Sequence, residues 1–154
     1  MIRSIRSFLM AFVLTVSLFA GQVTPVRAAS IPAEINKQFT PLQIDAGAVS
    51  VMRVTIFNPN IFDLTNASWT DNLVGVQPGL YIANPAGVVN TCGNVLDVTA
   101  VPGTTALALS NGTVPAQVGS IPGQCYVEVN VSSVTPGNLI NTIPANNLVS
   151  QGID

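Results

Sequence analysis

The chain has 154 residues, of which 8% are charged and 48% are hydrophobic, and its formal net charge is −2. Five basic residues are too few to neutralise a run of phosphates, so this composition argues against nucleic-acid binding. The chain has no histidine, which excludes Ser–His and Cys–His nucleophile pairs and imidazole metal ligands.

The first thirty residues have the order of a secretory signal peptide. Arg3 and Arg6 precede a short apolar run, and small residues surround Ala28 and Ala29. The run is shorter than the roughly 20 apolar residues that a membrane-spanning helix needs. We therefore expect residues 1–28 to form a signal-peptide helix that is cleaved near Ala28. The mature chain is then secreted or held in the cell envelope, outside the cytoplasm.

The mature chain keeps roughly 125 residues, enough for one domain of ordinary size. Its basic residues are Lys37 and Arg53, which is too little positive charge for attachment to anionic lipid. We place an N-terminal extension at residues 29–38 and a single domain at residues 39–154.

Short alternating segments, separated by proline, glycine and asparagine, predict an all-β domain. From Ser50 onward Met52, Val54 and Ile56 fall on one face of a strand, and Cys125 begins a second strand of the same kind. The other strand candidates, in chain order, are Leu64–Thr70, Gly79–Ala83, Leu96–Ala100, Ala106–Leu109 and Leu139–Ile143. Several short strands with regularly spaced turns predict an antiparallel β-sandwich, with a closed barrel as the alternative.

Several short landmarks follow one another in a suggestive order. They are Phe39-Thr40-Pro41, Asn58-Pro59-Asn60, Thr70-Asp71-Asn72-Leu73, Asn84-Pro85, Thr91-Cys92-Gly93, Ile121-Pro122-Gly123-Gln124-Cys125 and Asn141-Thr142-Ile143-Pro144-Ala145. From about Ile35 onward the chain resembles the bacterial surface repeat called domain of unknown function 11 and its close relatives. The resemblance implies an immunoglobulin-like β-sandwich, often found in tandem, with a scaffold or adhesion role and no catalytic residues.

The chain departs from that family pattern at two places. Val74 follows Leu73 where the family usually has proline, and the sequence stops at Asp154 where family units continue into another strand. We therefore expect the sandwich to lack its last strand and to leave one sheet edge unpaired. This pattern favours a fragment of a longer repeat protein. The alternative is donor-strand assembly, with Ser30–Gln38 of a neighbouring copy as the donor.

The acidic residues are isolated in sequence and suggest no catalytic pair for glycoside hydrolysis. Asp71 could join Asp63 or Asn60 as oxygen ligands for calcium. We favour a turn role, in which its carboxylate accepts backbone N–H groups, because calcium sites usually show denser acids. We therefore expect no catalytic residue, no cofactor and no metal site.

Two aromatic residues raise the question of carbohydrate binding. Trp69 and Tyr81 could stack on sugar rings, but a lone tryptophan in a sandwich is more often part of the core.

The two cysteines, Cys92 and Cys125, are expected to form a disulfide, because oxidation is favoured in an exported domain. A metal site is the rival interpretation, and two cysteines without histidine cannot readily complete one.

Taken together, the sequence predicts a non-enzymatic structural or adhesive module of the bacterial envelope or extracellular matrix. The expected partners are similar domains, reached by tandem linkage or edge-strand pairing. The alternative is a module that binds polysaccharide or calcium.

Overall fold

A computed structural model describes residues 30–74, 79–144 and 146–151. The expected signal peptide, residues 1–28, lies outside this part of the chain. In the described ranges, no helix has the length and apolar character needed to cross a membrane.

The described chain folds into nine strands and one short 3-10 turn at Val95–Asp97. The strands are β1 Glu34–Thr40, β2 Val49–Asn58, β3 Leu64–Asn72, β4 Leu80–Ile82, β5 Val89–Asn90, β6 Val98–Ala100, β7 Ala106–Val114, β8 Gly123–Ser133 and β9 Val149–Gln151. One sheet has the order β1, β2, β8, β4, with β5 also paired to β8, and the other has the order β6, β7, β3, β9. All pairings are antiparallel.

The predicted antiparallel β-sandwich is confirmed, and its core lies between the two sheets. The inner positions of β2 are closed to solvent, since Met52, Val54 and Ile56 are at most 1% exposed. Val54 stands opposite Val127 of β8 in the register, and inner residues of β3 and β7 cover this layer from the other sheet. Burying an aliphatic side chain of this size stabilises the fold by about 1.5–3 kcal/mol.

The sandwich begins earlier in the chain than residue 39. Strand β1 starts at Glu34 and pairs with β2 over its whole length, with Ile35 opposite Ile56. Residues 34–38 therefore belong to the domain and not to an N-terminal extension. The physical reason is an alternation in which Ile35, Lys37 and Phe39 face inward. This pairing also occupies most of Ser30–Gln38 within its own chain, so the segment is not a free donor strand.

Two strand predictions also require correction. Leu139–Ile143 forms no strand, and the chain pairs later, where β9 lies along β3 with Ser68 opposite Val149. Leu96 lies in the 3-10 turn and is 96% exposed, so β6 begins only at Val98. The carboxylate of Asp97 accepts a hydrogen bond from the Asn94 N–H at 2.8 Å, which closes this turn.

Candidate functional site

A lysine stands on the inner face of β1, where an apolar residue would be usual. Lys37 lies between Ile35 and Phe39 on that face, and both neighbours pack against the core. Its side chain is 9% exposed. The Nζ atom donates to Oδ2 of Asp71 at 2.5 Å and also to Oδ1 of Asn141. A buried ammonium needs such partners, because an unpaired charge in the interior is strongly unfavourable.

The carboxylate of Asp71 lies on the inner face of β3, two residues after Trp69 and two before Leu73. Its side chain is completely buried. Besides Lys37, it accepts a hydrogen bond at 3.1 Å from Nδ2 of Asn141. The expected role, acceptance of backbone N–H groups in a turn, is therefore wrong for this carboxylate. Through its contact with Lys37, Asp71 links β3 of one sheet to β1 of the other.

The third member of the group comes from the segment that follows β8. Asn141 has Leu139 and Ile143 as inward neighbours at alternating positions, and both pack against the core. Its Nδ2 also donates to the backbone oxygen of Asn72 at 2.9 Å. The partners determine the orientation of this amide, since an ammonium needs an acceptor and a carboxylate needs a donor. We call Lys37, Asp71 and Asn141 the buried triad.

The buried triad has a distinctive electrostatic balance. Loss of hydration on burial lowers the pKa of Lys37 below its usual value of 10.5, while the hydrogen bond to Asp71 and its negative charge oppose that change. Burial thus favours the neutral amine, which is the nucleophilic form of a lysine. The site brings together an amine, a carboxyl group and an amide carbonyl.

The cysteines form a second tie within the sandwich. Cys92 and Cys125 are joined by a disulfide bond, with 5.0 Å between their Cα atoms. Cys125 belongs to β8, whereas Cys92 follows β5 in the loop that leads to the 3-10 turn. Both residues are at most 3% exposed. The disulfide attaches the loop between β5 and the 3-10 turn to β8 in the first sheet.

The residues considered as calcium ligands are each engaged in other contacts. Asp71 is engaged by Lys37, and the Oδ1 atom of Asp63 accepts a hydrogen bond from the Ala116 N–H at 2.7 Å. The amide of Asn60 pairs with the backbone of Ile31 through two hydrogen bonds. Within the described ranges, no group of three or more His, Cys, Asp or Glu side chains could hold a metal ion.

The aromatic residues considered for carbohydrate binding are not paired on an open surface. Trp69 is 2% exposed, which confirms its expected place in the core. Tyr81 is half-buried in β4, and its hydroxyl lies 3.4 Å from Oγ of Ser132.

The outer face of the first sheet carries a separate ion pair. Arg53 of β2 contacts Oε1 of Glu128 at 2.6 Å and lies 4.2 Å above the ring of Tyr126. The two charged side chains are 45% and 20% exposed, so solvent weakens their attraction. Glu128 is outward-facing, as the alternation of β8 predicts.

Sequence comparison adds one finding. A protein-family model described as "Domain of unknown function (DUF7933)" matches residues 33–153. The match starts one residue before β1 and includes the triad and both cysteines. A search of curated proteins found no match.

Proposed function

The chain belongs to the family described as domain of unknown function DUF7933, and from this membership and the fold we propose that it is an exported structural or adhesive module, without enzymatic activity, of the bacterial cell envelope or extracellular matrix. The observation that carries the proposal is the buried triad. It joins the first strand of the sandwich to a segment 104 residues later, close to the two points at which tension on the chain would enter and leave the domain.

The disulfide supports the proposed location. Disulfide bonds persist in oxidising compartments, which for bacteria means the periplasm, the cell surface or the medium. The bond lies inside the stretch that the triad encloses, between residues 37 and 141. Two nested ties are what a domain exposed to proteases and mechanical load needs, because each restricts local opening.

We further propose that this domain is related to the surface repeats of domain of unknown function 11. The landmarks that carry the resemblance include Thr70–Leu73 and Asn141–Ala145, which supply Asp71 and Asn141 to the triad. Such a relation makes similar domains, in tandem or at a sheet edge, the proposed partners. In the described chain β9 pairs with β3 along one side, which leaves its other side for such a contact.

Fractionation of the source bacterium tests the proposal. Antibodies against residues 30–151 are expected to detect the domain in the envelope or the culture medium, with its N-terminus near Ala29. A strain without the gene is expected to attach to surfaces more weakly than the complemented strain. Recovery of the domain from the cytosol alone, with Met1 retained, would contradict the proposed location. Unchanged attachment together with retention of the pure domain on polysaccharide would favour the sugar-binding alternative.

A further inference from the structure

The buried triad holds the two groups that an amide bond requires. The Nζ atom of Lys37 contacts Oδ1 of Asn141, and the amide carbon lies one bond from that oxygen. A buried lysine needs only a carboxylate to balance its charge. The presence of an amide carbonyl at the same nitrogen is therefore a separate feature of the site.

We propose that Lys37 and Asn141 form an intramolecular isopeptide bond between Nζ and Cγ, with release of ammonia, and that Asp71 transfers the protons. This modification goes beyond the structural or adhesive role proposed above and does not depend on it. It requires only the folded chain, since nucleophile, proton carrier and acyl group all belong to the triad.

The carboxylate of Asp71 is placed between the nucleophile and the leaving group. Its Oδ2 lies 2.5 Å from Nζ of Lys37, while its Oδ1 lies 3.1 Å from Nδ2 of Asn141. A single carboxyl group can therefore take a proton at one oxygen and give one from the other. This arrangement is that of a general acid and base within hydrogen-bond reach of both reacting nitrogens.

The atoms of the reaction balance without a further reactant. Asp71 first accepts a proton from the ammonium of Lys37, which leaves a neutral amine and a neutral carboxylic acid. The Nζ lone pair then forms a bond to Cγ of Asn141, and the Cγ–Nδ2 bond breaks. Of the two protons that the ammonium loses, one leaves on the ammonia and the other stays on the Asp71 carboxyl. No oxidation or reduction takes place.

The surroundings of the triad favour this reaction over hydrolysis. Burial lowers the pKa of Lys37 and so raises the share of neutral amine. Ile35, Phe39 and the inner residues of β3 make the environment apolar and keep out water, which would compete for the amide carbon. Folding itself holds the amine against the carbonyl, which replaces a bimolecular encounter by a positioned one.

Mass spectrometry of the folded, oxidised full-length protein tests the proposal. The intact mass is expected to be about 17 Da, one ammonia, below that of the same polypeptide with its disulfide. After reduction and digestion, a peptide containing Lys37 is expected to be joined to one containing Asn141. Trypsin is expected not to cut after Lys37, because an acylated lysine is not a substrate.

Two variants provide matched comparisons. Asp71→Asn preserves side-chain size but cannot transfer the proton, so it is expected to retain the full mass while the Cys92–Cys125 disulfide still forms. Asn138→Ala changes an exposed asparagine of the same segment. This variant is expected to lose the mass of one ammonia, as the unaltered protein does. The unaltered protein decides the question even if a variant fails to fold. Its full mass, with tryptic cleavage after Lys37, would overturn the proposal.

Discussion

Replacement of Asp71 by alanine is expected to be the most damaging single substitution in this domain. The substitution leaves Lys37 buried without its counter-charge, which costs about 3–5 kcal/mol. It also prevents the bond between Lys37 and Asn141, whose separation is 104 residues. A covalent link that closes a loop of that length stabilises a fold by roughly 4–5 kcal/mol, because it reduces the entropy of the unfolded chain. Urea-induced unfolding measures the sum.

Two further variants separate the contributions. Glu128→Ala removes an exposed ion pair and is expected to cost less than about 1 kcal/mol. The double variant Lys37→Met/Asp71→Leu removes both buried charges, so it is expected to avoid the cost of an unpaired buried charge. Its free energy of unfolding is expected to remain roughly 4–5 kcal/mol below that of the unaltered protein, because the covalent link is absent. A double variant as stable as the unaltered protein would show that the triad contributes no covalent link. An Asp71→Ala variant that is as stable to urea as Glu128→Ala would contradict a stabilising role for the triad.

Loss of the disulfide is expected to have the second largest effect. Cys92 and Cys125 are 33 residues apart, and opening such a loop costs about 3–4 kcal/mol of stability. For a domain of this size the melting temperature is expected to fall by roughly 10–20 °C. Calorimetry of the variant Cys92→Ala/Cys125→Ala against the oxidised protein measures the difference.

The reduced, unaltered protein is the control for the disulfide. Its two thiols fill the space of the buried disulfide, so reduction leaves no cavity. Any drop in melting temperature therefore measures the loss of the covalent link. Equal melting temperatures for the oxidised and reduced forms would mean that the fold does not depend on this bond.

The sequence predicted the sandwich because its central strands carry their own signal. In β2 and β8 strictly alternating aliphatic residues fill one inner face, and proline or asparagine marks the ends of most segments. Alternation alone misplaces segments whose pairing depends on residues far away in sequence. Leu139–Ile143 alternates like a strand, but Asn141 takes part in the triad and the segment forms no ladder. Pairing of β9 depends on contacts with β3 that lie far away in sequence.

The triad could not be predicted from sequence because its members are brought together only by the fold. One local signal was nevertheless present. Lys37 stands between Ile35 and Phe39 at strand spacing, and Asn141 stands likewise between Leu139 and Ile143. A polar residue in the middle of an apolar alternation indicates a buried polar partner elsewhere. The sequence alone assigns Lys37 to an N-terminal extension and Asn141 to a strand, and it does not show that their side chains meet.

The central claim is that the triad joins the first strand to the C-terminal segment, so that tension bypasses the sandwich. Stretching the mature domain by its two ends tests this claim. In reducing buffer the unaltered protein is expected to lengthen little, because the isopeptide bond encloses the chain between Lys37 and Asn141, which are 104 positions apart in sequence. The Asn141→Ala variant is expected to release on the order of 300 Å, at roughly 3.3–3.6 Å for each extended residue. The same long extension in the unaltered protein would contradict the account.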